Sequence, residues 1–213
     1  MKKLNLLLII FSLLINYSCN NAPKANNEKS ENASIDSLTN VRAGAFSITV
    51  PNTWQISTGS EEEQVKSEMM QGVQQMIDRY QNETGMAHDK LGIKDFTAVR
   101  IKESSGWCIM YNFTLPEQKD YYETMKEDTK KKLDWGLQQG DFVKIIENGI
   151  VSIGEEKAMK TIVQGKDGGR MITITYWTPD APAFINNLII MESKIDIELH
   201  QQINDVCNSL KIH

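Results

Sequence analysis

The sequence predicts an α+β fold in which an antiparallel β-sheet is covered by helices. Strand-like segments follow one another in runs, short turn signals separate most of them, and helical patterns appear at three points along the 213 residues. Neighbouring parallel strands need a crossover of a dozen or more residues, whereas antiparallel strands are joined by short turns. Runs of strands with few crossovers therefore favour α+β over α/β.

The N-terminal residues have the composition of a secretory signal. Two lysines precede an apolar run over residues 4–15, which is shorter than the about 20 apolar residues that a membrane-spanning helix needs. Ser18-Cys19 follows and resembles the end of a bacterial lipobox, in which the cysteine is diacylated and becomes the mature N-terminus. We therefore predict a signal peptide over residues 1–18 and lipidation at Cys19.

The residues around this site leave an alternative open. Asn16 and Tyr17 stand where the lipobox prefers leucine and a small residue, so a plain secretory signal with an incidental cysteine also fits. The composition of residues 19–42 favours the lipoprotein, because it is rich in Asn and Ser and nearly free of large apolar side chains. Such a segment buries too little surface to offset its ordering entropy. It is predicted to be a flexible tether between Cys19 and a domain over residues 43–213.

The predicted lipid anchor and the net charge limit the kinds of partner that this chain is expected to bind. Two acyl chains hold a protein stably on a bilayer, and no acidic cluster follows Cys19 immediately, which favours the periplasmic face of the outer membrane. The formal net charge is −5, and no long basic run is present, whereas nucleic-acid binding depends on neutralising phosphates. The expected partners are the lipid bilayer, through acylated Cys19, and an unknown protein, with nucleic acid excluded.

The domain is predicted to begin with a strand and an amphipathic helix. Residues 45–50 alternate between apolar and smaller or polar side chains and stop at Pro51, which is typical of a half-buried strand. Ser60 is a good N-cap, and three glutamates follow in the first turn, where the helix dipole favours acids. This helix is expected to end near Gly85. Its apolar stripe, at a period of 3.6 residues, comprises Val65, Met69, Val73, Met76, Ile77 and Tyr80.

Strands and two further helices fill the rest of the domain. Residues 95–103 and 106–115 are predicted to form a hairpin. A second helix is predicted over 116–138 and a closing helix over 196–210. Gly-rich GKDGG, at 165–169, is predicted to be a hairpin tip. The predicted strands between these two helices are 142–147, 150–153, 156–164, 170–177 and 187–192.

Two segments resemble a known family. The opening FSITVPNTWQI and the ending NDVCNSLKI are similar to the ends of PsbP-like and DcrB-like domains, and so is the order of elements between them. The likeness spans about Ala45 to Ile212. It implies an αβα sandwich around an antiparallel sheet and mostly non-catalytic roles in assembly or binding. The family has no common catalytic motif, so no site residue follows from the resemblance.

The chain shows no recognisable motif for catalysis, a cofactor or a metal. None of His88, His200 and His213 stands beside a second His, Cys or acid at metal-ligand spacing such as H-E-x-x-H. GKDGG lacks the Gly-Lys-Ser/Thr order of a P-loop, and the G-x-S-x-G elbow is absent. We therefore predict no catalytic residue, no cofactor and no metal.

Two cysteines lie within the predicted domain. Cys108 is in a predicted strand and Cys207 is on the apolar stripe of the closing helix, so they would face each other if that helix packs on that strand. An oxidising compartment then favours a disulfide. Two separate buried thiols, each acting as a small hydrophobe, are the alternative.

Three classes of function fit the sequence. The absence of a catalytic motif and the family resemblance favour a non-catalytic binding or assembly lipoprotein. An immunity lipoprotein that neutralises a toxin delivered to the periplasm would have the same anchor and the same acidic domain. An enzyme with an unrecognised site is the third class, and convergent acids or histidines in a deep pocket would reveal it.

Overall fold

The computed structural model describes residues 38–84, 93–101, 106–114, 121–166, 168–178, 184–192 and 197–213. Its strands are β1 (Leu38–Ala43), β2 (Phe46–Pro51), β3 (Gln55–Ile56), β4 (Ile93–Arg100), β5 (Trp107–Thr114), β6 (Lys144–Ile153), β7 (Glu156–Gln164), β8 (Arg170–Trp177), β9 (Phe184–Glu192) and β10 (Lys211–Ile212). Its helices are α1 (Ser60–Thr84), α2 (Tyr121–Gln139) and α3 (Ile197–Asn208).

The strands form two antiparallel sheets. The small sheet has the order β1-β2-β10, and the large sheet has the order β3-β4-β5-β9-β8-β7-β6. Each strand pair is antiparallel. The predicted α+β class is therefore confirmed.

Both faces of the large sheet carry buried side chains. On one face, Cys108 and Ile190 belong to a core that also includes residues of the small sheet and of α3. Strand alternation directs the intervening residues, such as Ile109, to the opposite face, where they are also buried. Met69 of α1 and Leu133 of α2 are buried outside the first core. We infer that α1 and α2 cover the second face, while α3 and the small sheet cover the first.

β1 begins inside the segment that the sequence predicts to be a tether, residues 19–42. Although this stretch is polar overall, its last residues alternate, and Val41 and Ala43 are buried in the core. The hairpin with β2 holds residues 38–42 in the fold. The folded domain therefore starts before the predicted boundary at residue 43.

Other elements differ from the prediction at their ends. The predicted strands 142–147 and 150–153 are one strand, β6, which stays paired with β7 through Asn148 and Gly149. The closing helix stops at Asn208, because the chain then pairs with β2 as β10. The predicted start of the second helix, at Pro116, lies outside the described residues. α1 starts at Ser60 and ends at Thr84, next to the predicted end. The Glu63 N–H donates to Gly59 O at 3.1 Å, so Gly59 and not Ser60 is the N-cap.

Candidate functional site

A charged cleft of about 570 Å³ opens where the tip of the β1–β2 hairpin meets the start of α1 and the first half of β4. Side chains of both charge signs line it. The cations are Arg42, Lys66 and Lys94, and the acids are Glu62, Glu63 and Asp95. We call this feature the charged cleft.

Local sequence explains why these charges meet. Arg42 is the second-last residue of β1, next to the hairpin tip, and Lys94 is the second residue of β4. β1 packs against β4, and α1 packs against β4 as well. The acids of the α1 first turn stand at the positive end of the helix dipole, which favours them there. Three elements distant in sequence thus bring their charged ends to one place.

The hairpin tip rests directly on two asparagines. Asn112 and Asn186 are register partners on β5 and β9, and both are buried. Gly44 has a φ of +57°, and a Cβ added to it would lie 2.5 Å from both Asn112 Nδ2 and Asn186 Oδ1. The Ala45 N–H donates to Asn186 Oδ1 at 2.9 Å. Glycine is therefore required at this position both by the left-handed backbone and by the close approach.

The same asparagine pair orients one acid of the charged cleft. Asn112 Nδ2 donates to Asp95 Oδ2 at 2.8 Å, and the Asp95 N–H donates to Asn112 Oδ1 at 3.0 Å. Asn186 Nδ2 is buried and has no hydrogen-bond partner in the described part of the chain. One wall of the cleft is therefore fixed by buried amides rather than by mobile surface contacts.

Two cations of the charged cleft, Arg42 and Lys66, form no strong ion pair with its acids. Lys66 Nζ lies 4.0 Å from Glu63 Oε1, three residues earlier on α1. Arg42 is exposed, and its guanidinium makes no hydrogen bond or ion pair across the described residues. Exposed ion pairs contribute at most about 1 kcal/mol. Arg42 can therefore engage a ligand without breaking a strong internal contact.

A second polar cluster lies at the opposite end of β9. Asn186, under the charged cleft, is near the start of this strand, and Glu192 is its last residue. Glu192 pairs with Arg170 of β8, the Nη2 to Oε2 distance being 2.6 Å. Arg170 Nη2 also contacts His200 Nδ1 on α3. This arrangement links β8, β9 and α3 through one guanidinium.

The thiols next to this cluster are not activated. Burial raises the pKa of Cys207 to about 11, although Lys160 and Arg170 lower it in part. Burial raises the pKa of Cys108 still further, and the Cys207 thiol adds to that rise. Because the thiolate is the nucleophile, the raised pKa of each thiol disfavours a nucleophilic role for it at neutral pH. Cys207 packs against the core that contains Cys108. The two cysteines are unbonded in this structure, and their disulfide in an oxidising compartment stays a prediction.

The remaining predicted positions fall outside a common site. Cys19 and His88 lie outside the described residues. His213 Nε2 is 2.7 Å from Ser47 Oγ, beside β10. GKDGG joins β7 to β8 as a hairpin tip, closed by the Gly165 N–H donating to Gly169 O at 2.8 Å, which confirms that prediction.

The described residues lack two kinds of feature. They contain no group of three or more His, Cys, Asp or Glu side chains arranged to hold a metal ion. Among them, none of the helices is both long enough and apolar enough to cross a membrane.

Comparison with known proteins does not assign this chain to a family. No family model matches the chain, and no curated protein matches it. A crystal structure of a protein from Bacteroides thetaiotaomicron VPI-5482, at 1.50 Å resolution, is similar over 79% of this chain and 45% of that chain, with a TM-score of 0.33 and 11% sequence identity. This chain therefore spans less than half the length of that protein. A superposition of this quality does not establish a common fold.

Sequence reasoning missed the charged cleft. Its charged residues come from three segments, and nothing in the spacing of Arg42, Glu62 and Lys94 indicates that they meet. One local signal was present. Gly44 lies between two strand-like segments, and a tight hairpin turn needs a residue that adopts a positive φ, as Gly44 does. That signal predicts the turn but not the surface around it.

Proposed function

We propose that this chain is a lipid-anchored, non-catalytic binding or assembly module of the periplasm, which engages a protein partner through the charged cleft. The observation that carries the proposal is the meeting of Arg42 and Lys94 with Glu62 and Asp95 around one open space. Complementary charges at an interface set specificity and association rate. A partner segment that carries side chains of both signs fits such a cleft.

The buried support of the cleft favours a binding role. Binding is stronger when the interacting groups are held in place before the partner arrives, because less ordering entropy is lost. Asp95 is held by Asn112, to which its N–H donates and from which its carboxylate accepts a hydrogen bond. The hairpin tip is held by Asn186, which accepts from the Ala45 N–H. A binding surface gains affinity from charges that are held in place in this way, and no chemical step is needed for that gain.

The anchor belongs to the same proposal. The signal pattern ending at Ser18-Cys19 and the polar segment after it support lipidation at Cys19. The segment 20–37 has an expected root-mean-square span of about 20–25 Å if it behaves as a flexible chain. It joins the domain at Leu38, and the cleft is at the other end of β1, about 20 Å further along the strand. The cleft can therefore point away from the bilayer.

The finer fold also remains a proposal. An αβα sandwich of the PsbP-like and DcrB-like type is supported by the segments that resemble that family and by helices that we infer to lie on both faces of the large sheet. The resemblance to that family, whose members act mostly without catalysis, supports the proposed binding role.

Affinity capture from the native envelope tests the proposal. The bait is the full chain, compared with an Arg42→Glu/Lys94→Glu variant in which two cleft cations are reversed. The matched control is Lys126→Glu/Lys131→Glu, which makes the same charge change at exposed positions on α2. We expect a protein that wild type and the control retain and that the cleft variant loses by at least tenfold.

Other outcomes would contradict the proposal. Equal loss in the cleft variant and the control would show a general charge effect and would remove the cleft as the binding site. Capture that is unchanged in both variants would do the same. Consumption of a substrate by the purified chain, lost on mutating Asp95 or Glu62, would identify an enzyme instead.

A further inference from the structure

Exposed apolar side chains gather at one edge of the large sheet. The described residues include six exposed large hydrophobic side chains, and four of them lie between residues 137 and 150. These four are Leu137, Val143, Ile146 and Ile150, which are 41%, 53%, 45% and 38% exposed. They lie at the end of α2, in the connection after it and on β6, and α2 packs against β6. We call them the apolar rim. A group of exposed apolar side chains marks a surface that associates with a partner.

Positive charge borders the apolar rim. Lys144, the first residue of β6, is exposed, and so is Lys166. Lys166 Nζ is 3.3 Å from the position of a Cβ added to Gly140, in the connection between α2 and β6. Neither lysine forms an ion pair within the described residues, whereas Glu147 of β6 is paired with Lys160 at 3.0 Å. Apolar side chains flanked by lysines suit the boundary between acyl chains and anionic headgroups.

We propose that the apolar rim contacts the bilayer to which the chain is anchored. Lipid acyl chains cover its apolar side chains, and lipid phosphates take the ammonium groups of the flanking lysines, whose stems lie along apolar surface. This inference rests on the proposed lipidation at Cys19. The anchor also favours a bilayer over other occupants, because it keeps the domain close to a lipid surface, where even a weak contact forms at a high effective concentration.

The tether is long enough for this contact. Residues 20–37 extend to at most about 60 Å, whereas a domain of about 175 residues has a radius of gyration of about 16 Å. The rim can therefore reach the bilayer on whichever side of the domain Leu38 lies.

The order of strands makes the contact compatible with the charged cleft. β6 and β4 are five strand spacings apart in the large sheet, which is about 24 Å. The charged cleft lies beside the first half of β4. A bilayer at the β6 edge therefore leaves the cleft accessible to a protein partner.

A fluorescent probe tests the contact in the full lipidated chain. The chain is reconstituted in vesicles of phosphatidylethanolamine and phosphatidylglycerol, and the probe is attached to Ile150→Cys. Ile56→Cys is the matched control, because Ile56 is 37% exposed and lies on β3, at the opposite edge of the same sheet. We expect lipid with a doxyl group on its acyl chain to quench the probe at residue 150 at least threefold more than the probe at residue 56. Labelled wild type gives the background from Cys108 and Cys207.

Charge substitution supplies a second measurement. Val143→Glu/Ile146→Glu places two acids in the apolar rim, so the quenching at residue 150 should fall to the level at residue 56, with unchanged circular dichroism. Leu38→Glu/Ile56→Glu is the matched control, because it makes the same change at two exposed apolar positions outside the rim. It should leave the quenching at residue 150 unchanged.

The outcomes separate this inference from the proposed function. Equal quenching at residues 150 and 56 of a lipidated chain would overturn the rim contact but leave the anchor and the charged cleft in place. Equal loss of quenching in the two glutamate pairs would also overturn it. Quenching at residue 150 that falls as the ratio of protein to lipid rises would identify a second copy as the occupant and overturn it too. A chain that carries no lipid by mass spectrometry would overturn the anchor and this inference together, whereas capture through the charged cleft is measured separately.

Discussion

Arg170 on β8 and Glu192 on β9 are register partners whose side chains form an ion pair shielded from water. Arg170 Nε and Nη2 both donate to Glu192 Oε2, at 2.9 Å and 2.6 Å. The Arg170 side chain is 13% exposed, and that of Glu192 is 2% exposed. Glu192 Oε1 has no hydrogen-bond partner in the described structure. The guanidinium is therefore the main compensation for a buried carboxylate.

Removing this guanidinium should be strongly destabilising. Arg170→Leu leaves the carboxylate of Glu192 buried and uncompensated, so we expect the free energy of unfolding to fall by about 3–5 kcal/mol. Urea denaturation monitored by circular dichroism measures it. The matched control is Lys160→Leu, which breaks the more exposed Lys160–Glu147 pair and should cost at most about 1 kcal/mol.

The double variant tests the physical cause. Arg170→Leu/Glu192→Leu removes both charges, so it should recover most of the stability that Arg170→Leu loses. If the single and the double variant are equally unstable, the loss comes from packing around Arg170 rather than from an uncompensated charge.

The hairpin tip under the charged cleft provides a second prediction. Gly44→Ala adds a Cβ 2.5 Å from Asn112 Nδ2 and Asn186 Oδ1 and also strains a backbone at φ +57°. Gly59→Ala is the matched control, because Gly59 has a φ of +59° but no atom within 4 Å of the added Cβ. We expect a loss of roughly 1 kcal/mol at Gly59 from backbone strain and at least about 2 kcal/mol more at Gly44.

Thermal unfolding of the two variants measures this difference. Equal losses would mean that the asparagine pair moves aside freely and does not fix the wall of the charged cleft. A larger loss for Gly44→Ala, together with weaker capture of the partner, would connect the rigidity of the tip to binding.

The fold class was predictable because its signals are local. The patterns that predict α1 and the turn between β7 and β8 each lie within a short segment, and the structure confirms that helix and that turn. β3 and β10 have two residues each, which is too short for alternation to be recognised. β1 was missed because its polar residues outnumber the buried Val41 and Ala43.

The sites were not predictable for a different reason. Arg170 and Glu192 meet because β8 and β9 are adjacent in register, and the charged cleft needs β1, α1 and β4 to pack together. Such contacts depend on tertiary arrangement, which residue spacing does not encode. Lipidation at Cys19 can be predicted from sequence alone, because a lipidation signal is a linear segment, and it stays a prediction.

Lipidation at Cys19 is tested by a single substitution. Cys19→Ala removes the acyl-accepting thiol, so the precursor should either stall before processing or release the domain from the membrane fraction. The measurements are membrane fractionation and mass spectrometry of the mature N-terminus. Cys207→Ala is the control, because it removes a half-buried thiol of the folded domain and should leave fractionation unchanged. Wild-type chain that is soluble and carries no lipid would contradict the proposed anchor.

The pKa of Cys207 predicts how stability responds to alkaline pH. Burial raises this pKa from 9.0 to about 11, so the unfolded chain loses its thiol proton before the folded chain does. The stability that this group contributes is therefore fully present below pH 9 and is lost as pH rises from 9 to 11, at about 1.4 kcal/mol per pH unit. Cys207→Ala removes this contribution but leaves Cys108, whose raised pKa acts in the same direction.

Urea denaturation at pH 8, 9, 10 and 11 measures the difference between the two proteins. The stability of wild type should fall more steeply than that of Cys207→Ala, with a difference of about 2–3 kcal/mol accumulated by pH 11. Parallel curves for the two proteins would show that the Cys207 thiol ionises as readily in the folded chain as in the unfolded one.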